Sequence, residues 1–250
     1  MKPISTIILT YNCQDVLEDC LKSLSDFGEE IIIIDSFSTD KTLDIAKKFK
    51  AKIFQNKEAS FSERRNIGKS KSSCEWVFYL DSDERITPDF KKEVHSIISS
   101  YDKESKIAGF FVKRKTFYLQ KDWGFQDKVQ RLFYKDKLKE WFGVVHETPK
   151  ASGEFGEINS PILHFTHRNL EQMVEKTNTW SDVEAKLRLE SHHPKMSWWR
   201  FPRVMSTGFF RSYIQEGGYK NGTEGLIESI FQAFSMFITY AKLWEMQRKK

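Results

Sequence analysis

Cysteine is scarce in this 250-residue chain: Cys13, Cys20 and Cys74 are odd in number and form neither a Cys-x-x-Cys pair nor a Cys/His ligand spacing. That excludes a disulfide framework and a thiolate zinc site, and a reducing cytoplasm is the expected compartment. Long apolar runs are missing as well. The longest, Leu226 to Ala241, carries Glu228 and Gln232 and falls short of the roughly 20 residues a membrane-spanning helix needs. The opening Met1-Lys2-Pro3 leads straight into Ile4 to Leu9, too short a stretch for a signal peptide. Nor does one charge dominate. Lys and Arg number 40 against 35 Asp and Glu, giving +5 and a pI near 8.9. This suits anionic phosphates or an acidic membrane surface, but lacks the dense basic stripe of a nucleic-acid binder, so no nucleic acid is expected as a partner.

What the chain does have is enough apolar material, 39% of residues, for one large domain carrying a smaller helical appendage, and this excludes disorder. Over the first hundred residues, short β-branched runs alternate with stretches of helical period, which predicts an α/β fold with a mostly parallel sheet flanked by helices. Strands are expected at Ile4 to Leu9, Ile31 to Ile34, Ala51 to Phe54 and Trp76 to Leu80. Between them, Val16, Leu17, Cys20, Leu21, Leu24 and Phe27 mark a helix stopped by Gly28, and a second helix follows Ser38-Thr39-Asp40. Further helices are expected over Ser62 to Ser70 and from Pro88. Ile107 to Val112, Gln130 to Tyr134 and Ile162 to Phe165 read as strands whose order is not legible. From Asn169 the period is helical, with a break at His192-His193-Pro194, so the expected division is an α/β domain over 1–168 and a helical region over 169–250.

In an open parallel sheet, ligands bind where the strands end at their carboxyl side. Three of these ends are polar: Thr10-Tyr11-Asn12, Asp35-Ser36 and Asp81-Ser82-Asp83. Asp35 could accept from a base N–H or a ribose hydroxyl, and Tyr11 could stack on a base, though a turn residue and a sheet-edge aromatic are the plainer alternatives. Asp81 and Asp83 are two apart, so extended backbone would send both carboxylates to one face, where they suit Mg²⁺ or Mn²⁺. With 14 aspartates, chance alone supplies about one Asp-x-Asp, so the weight lies in its place after an apolar strand. Arg64-Arg65 could aim a guanidinium at phosphate, or form an internal pair with Glu63 on a surface helix.

Taken in order, Ser5 to Asn12, Ile34 to Thr42, Arg65-Asn66-Ile67-Gly68 and Asp81-Ser82-Asp83-Glu84 resemble glycosyltransferase family 2, inverting enzymes of the GT-A fold. The likeness is greatest to the bacterial lipopolysaccharide-core β-1,4-glucosyltransferase subgroup, and it continues through Gln130-Arg131-Leu132-Phe133 and Gly143-Val144-Val145-His146-Glu147. It returns at Gly218 to Gly222 and Tyr240 to Glu245, with Asn221 and Thr223 departing from the subgroup's pattern, so the acceptor need not be the same. The resemblance implies a nucleoside-diphosphate sugar donor, with UDP the expected nucleotide, and a glycan or lipid-linked glycan acceptor such as a lipopolysaccharide core, with a capsular glycan or a protein side chain as the alternative. Thr10, Tyr11, Asn12, Asp35 and Ser36 would hold the nucleoside, while Arg65, Asp81 and Ser82 would sit beside the nucleotide sugar. Asp81 and Asp83 would ligate Mg²⁺ or Mn²⁺, and His164 could complete the set.

Inversion needs a base on the acceptor hydroxyl. Glu147 is the expected base, since Trp141 and Phe142 could supply apolar neighbours that raise its pKa, and His146 is the adjacent alternative. In the tail, Leu226, Ile230, Ala233, Phe234, Phe237, Ala241 and Trp244 trace one helical face, ending in Arg248-Lys249-Lys250. That stripe either packs on the catalytic domain or lies on an anionic membrane, which would make the protein peripheral on the inner face. The rival class is a nucleotide-sugar or glycan-binding module that has lost turnover, and it predicts donor binding without transfer.

Overall fold

A computed structural model describes residues 4–56, 60–143 and 147–249 of the chain. Two compact units divide it, residues 1–115 with 126–164, and residues 116–125 with 165–250. The first is built as alternating strands and helices: β1 (Ile4–Thr10), α1 (Gln14–Ser23), β2 (Glu30–Asp35), α2 (Thr42–Lys48), β3 (Lys52–Gln55), α3 (Phe61–Lys71) and β4 (Trp76–Asp81). The short β5 (Glu84–Ile86) and α4 (Pro88–Ser99) follow. Beyond them lie β6 (Ile107–Tyr118), β7 (Lys121–Tyr134), β8 (Leu138–Phe142), β9 (Thr148–Ala151) and β10 (Glu154–Thr166).

Eight strands form one sheet in the order β3-β2-β1-β4-β7-β6-β10-β5. Its first four are parallel, while β7 joins β4 and β5 joins β10 antiparallel. Alternation along the parallel strands fills both faces. Ile4, Ile8, Ile33, Phe78 and Leu80 pack with Leu17 and Leu21 of α1 and with Phe90 and Val94 of α4. Ile7, Ile32, Ile34, Val77 and Tyr79 point the other way, onto Trp141 of β8 and Ile67 of α3. Strands buried on both faces are why these runs read as continuously apolar rather than alternating with polar residues.

The first helix is shorter than the apolar spacing predicts, closing at Ser23 instead of running to Gly28. Gly28 has another task. A Cβ there would stand 2.6 Å from the carbonyl oxygen of Ile4, so the glycine lets the chain cross close against β1. The later strands are longer than expected because they continue through polar, half-buried or exposed stretches such as Lys113-Arg114-Lys115 in β6, which a search for apolar runs misses.

In the second unit, α5 (Leu170–Glu190), α6 (Arg200–Phe210) and α7 (Gly222–Arg248) carry a small core of Ala185, Met196, Tyr240 and Leu243. A π-helical turn over Arg211–Gln215 and a 3₁₀ turn over Gly218–Asn221 join α6 to α7. Residues 191–199, including the predicted break, separate α5 from α6. Among the described residues, no helix is long and apolar enough to cross a membrane.

Candidate active site

Strand register alone brings two of the acidic strand ends together. Thr10 pairs with Asp35 on one side of β1, and Leu9 with Asp81 on the other. Asp35 and Asp81 therefore stand two strand spacings apart, about 10 Å, at one edge of the sheet.

The helix crossing behind that edge is fixed by its cap and by contacts of Arg65, Asn66 and Gly68. A capping box between Ser60 and Glu63 starts α3. Gly68 allows it to lie on β1, since a Cβ would come within 2.4 Å of Cγ2 of Ile7. Asn66 grips β8 through the Trp141 backbone, donating to its carbonyl at 2.9 Å and accepting from its amide at 2.8 Å. Arg65 is thereby stacked on Trp141, 4.9 Å from the ring centre. Its guanidinium holds two carboxylates, Asp81 at 3.2 Å and Glu147 at 2.8 Å.

Glu147 thus faces a guanidinium, where the sequence suggested an apolar surround. His146 lies outside the described residues. Arg65, Asp81, Glu147, Arg114, Arg131 and Trp141 line a cleft of about 380 Å³.

Arg131 is the least expected member. The antiparallel register of β7 on β4 sets Leu132 opposite Phe78, which carries the next residue toward the end of β4. There Arg131 donates to both oxygens of Asp81 and, at 2.9 Å, to Oε1 of Glu84. Glu84, fully buried, also accepts the Asp81 amide at 2.9 Å and sits 3.4 Å from Arg114, whose other nitrogens grip Asp127. Burial works against the Asp81 carboxylate, yet Arg131 and Arg65 outweigh it and hold its carboxyl well below the usual range. For Glu84 burial prevails and pushes the carboxyl up, with the ionised Asp81 acting in the same direction against Arg131. Burial likewise opposes the charge on Arg131, but Asp81 and Glu84 raise its affinity for the proton further. Gln130-Arg131-Leu132-Phe133 was noticed for its resemblance without a role. Arg114, between Lys113 and Lys115, reads in sequence as ordinary strand charge.

Asp81 and Asp83 do not share a face. Ser82 and Asp83 form a turn between β4 and β5, so the extended geometry that would align them is broken. Asp81 turns to the arginines, whereas Oδ2 of Asp83 lies 3.5 Å from Nε2 of His164. The β5 to β10 register puts His164 opposite Glu84, one residue from Asp83. No group of three or more His, Cys, Asp or Glu that could hold a metal occurs among the described residues. Asp83 and His164 would nevertheless suit a divalent cation, because such ions take as few as one or two protein ligands. One carboxylate oxygen and one imidazole nitrogen suit Mn²⁺ better than Mg²⁺.

At the other end of the edge, Asp35 is fully buried and its oxygens already accept four hydrogen bonds. Oδ1 takes the hydroxyls of Thr10 at 2.8 Å and Ser38 at 2.6 Å; Oδ2 takes the Ser38 amide at 2.9 Å and Gln55 at 3.3 Å. That set matches the acceptor capacity of a carboxylate. Asn12, at a left-handed φ of 43°, clamps the 38–39 loop by accepting the Thr39 amide at 2.8 Å and donating its own to Ser38. Ser36 accepts from Arg64. Tyr11 is 63% exposed, with its ring available for stacking. Beside it, burial pushes the Cys13 thiol up to about 11, so it is no nucleophile at neutral pH.

A doubly covered sheet with a parallel half, whose strand ends gather carboxylates and guanidinium groups over a polar cleft, is the architecture of the GT-A glycosyltransferases. The chain belongs to glycosyl transferase family 2, whose model matches residues 5–152. A protein of Rickettsia typhi described as an uncharacterized glycosyltransferase is 27% identical across 100% of this chain and 89% of its own length. The lipopolysaccharide core biosynthesis glycosyltransferase LpsC of Rhizobium meliloti is 24% identical across 99% of this chain and 94% of its own. Among solved structures, S. aureus TarS 1-349 in complex with UDP-GlcNAc is 16% identical with a TM-score of 0.49, covering 100% of this chain and 92% of that one.

The subgroup departure at Asn221 has a local explanation. Asn221 is buried and donates to the carbonyl of Trp123 at 3.2 Å, tying the 3₁₀ turn to residues of its own unit.

Proposed function

We propose that this enzyme inverts configuration as it moves a sugar from a nucleoside diphosphate, UDP by preference, to a hydroxyl of a cell-envelope glycan such as a lipopolysaccharide core. The observation that carries the reading is Arg65 holding Asp81 and Glu147 together at one cleft. The similarity to LpsC supports the acceptor class. Nucleoside binding is assigned to Tyr11 by stacking, with Thr10, Asn12, Asp35 and Ser36 shaping the pocket beside it, and Ser82 lies next to the sugar diphosphate.

Glu147 is assigned as the base. Both contacts from Arg65 fall on Oε1, which leaves Oε2 to take the acceptor proton. The acceptor oxygen then attacks the anomeric carbon, and the bond to phosphate breaks with its electron pair on the departing diphosphate. Arg65 orients the base, and the guanidinium groups of Arg114 and Arg131 keep the cleft favourable to anions. Asp83 and His164 are assigned the divalent cation directly, since the oxygens of Asp81 already accept from two arginines. Once bound, the cation neutralises the charge that develops on the diphosphate.

A donor screen that measures nucleoside diphosphate release, with Mn²⁺ or Mg²⁺ and after chelation, tests the assignment. Mn²⁺ is expected to support faster release than Mg²⁺, and Asp83→Ala to abolish the metal response. Glu147→Gln keeps the Arg65 contact, and it is expected to bind donor normally while kcat falls about 10²- to 10⁴-fold. Undiminished transfer by the glutamine variant would remove Glu147 as base, and donor binding without transfer by the native enzyme would point to the binding-module class.

A further inference from the structure

Residues 191–215 contain four lysines and arginines, Lys195, Arg200, Arg203 and Arg211, and no Asp or Glu. Elsewhere in 165–250 the charges balance, nine against nine, and because Arg211 pairs with Glu216 at 3.0 Å, the excess of the segment falls mainly on Lys195, Arg200 and Arg203. The same segment exposes large apolar groups. Trp198 is 82% exposed and Phe210 54%, Trp199 and Ile214 are open as well, and α6 has no buried residue. Arg200 lies over the Trp199 ring, 5.1 Å from its centre. A water-facing segment gains nothing from tryptophans with this exposure, whereas an aromatic side chain flanked by cations is suited to the headgroup level of a bilayer.

Two further observations point to the same partner. A cavity of about 270 Å³ opens beside α6, lined by His193, Arg200 and Arg203 and by the apolar Met196, Val204 and Met236. Its chemistry is that of a phosphodiester joined to an apolar body. The outward face of α7 repeats the theme, with Ile230, Phe234, Phe237 and Trp244 exposed and Arg248 over the Trp244 ring at 4.8 Å.

We infer that residues 195–214 of the second unit dock on an anionic phospholipid surface, with Trp198 and Trp199 entering the headgroup layer and Arg200 and Arg203 receiving lipid phosphates. A second copy of the chain is the competing occupant, but a self-complementary contact here would set like charges against each other, which costs free energy. Basic residues at an anionic leaflet gain it.

The inference concerns residues outside the transfer site and is tested without donor or acceptor, so its failure leaves the proposed reaction untouched. The full chain is sedimented with vesicles of phosphatidylcholine alone and of phosphatidylcholine containing phosphatidylglycerol. Binding is expected only to the anionic vesicles, weakening as salt rises. The pair Arg200→Gln and Arg203→Gln is expected to lower the partition constant about 30-fold, and Trp198→Ala to lower it further without restoring salt sensitivity. All these side chains are at least partly exposed, and circular dichroism together with the urea midpoint serves as the control for folding. Equal affinity for both vesicles, or anionic binding that the arginine pair does not change, overturns the inference. A concentration-dependent dimer abolished by Trp198→Ala, with no vesicle binding, would assign the surface to a second copy instead.

Discussion

Helix α1 keeps its apolar residues on a buried face, whereas α7 carries apolar residues on a buried face and on an exposed one. Within the first unit, α1 buries Val16, Leu17, Cys20 and Leu21 and exposes Asp15, Glu18, Asp19 and Lys22. In the second, α7 buries Phe231, Ala233, Tyr240 and Leu243 together with Glu228, Ser229 and Thr239, while Ile230, Phe234 and Phe237 are exposed. Glu228 is satisfied inside its own unit, 3.1 Å from Nδ1 of His167 and 2.6 Å from Nε2 of Gln232. Among the described residues, the first unit's buried charges, Arg65, Arg131, Glu84 and Asp35, gather at its functional edge. In the first unit the clustered buried charge marks the edge suited to a polar ligand, whereas the buried Glu228 of the second unit is satisfied internally and it is the exposed apolar residues of α7 that set that unit apart.

The comparison breaks first at Arg131. If the buried cluster is the framework of the edge, Arg131→Leu leaves Glu84 and Asp81 without their shared cation and should cost about 3–5 kcal/mol of folding stability. Urea denaturation measures it. The companion changes Glu84→Gln and Asp81→Asn in the Arg131→Leu background should recover part of the loss, because they remove the stranded charges. A loss under about 1 kcal/mol would mean that water reaches these carboxylates and that the cluster is no framework.

How much of this was legible in sequence follows from which contacts are local. Thr10 to Asn12, Asp35 and Asp81 announce themselves by ending apolar strands, and the parallel registers then bring them to one edge. Arg65, Asn66 and Gly68 are readable as a motif, but the reason for it, a helix wedged between β1 and β8, needs the tertiary structure. Arg131 and Arg114 were not legible because the carboxylate they share, Glu84, lies 47 and 30 residues away in sequence. The divergence of Asp81 and Asp83 was hidden for a different reason. Period-two reasoning assumes that a strand continues, and here it turns at Ser82.

A smaller effect sharpens the contrast between functional and structural charge. Glu30 stands far from the cleft on β2, bonded to Ser5, Lys52 and Ser73. Burial alone would raise its carboxyl, but the bonds from Lys52, Ser5 and Ser73 prevail and lower it to about 2. A lowered folded-state pKa stabilises above the unfolded value of 4.5 and is lost as pH falls through that value toward about 2. Glu30→Gln should therefore cost on the order of 1 kcal/mol at neutral pH, after allowing for solvent at the exposed end of Lys52. Urea midpoints of the two proteins should converge as pH falls below 4, while the activity per folded molecule stays unchanged. Midpoints that remain apart in acid would assign the loss to packing instead of charge.

The smallest expected effect tests the outward face itself. Ile230 is 54% exposed on α7, so Ile230→Ser should change unfolding free energy in water by no more than about 0.5 kcal/mol. At the equivalent apolar position on α1, fully buried Leu17, truncation to alanine should cost about 2–5 kcal/mol. Equal sensitivity at both sites would mean that Ile230 is covered in solution and that α7 is an ordinary core helix. A near-neutral Ile230→Ser means instead that this apolar face contributes nothing to the fold, and its place in the molecule has to be explained by something the chain meets after folding.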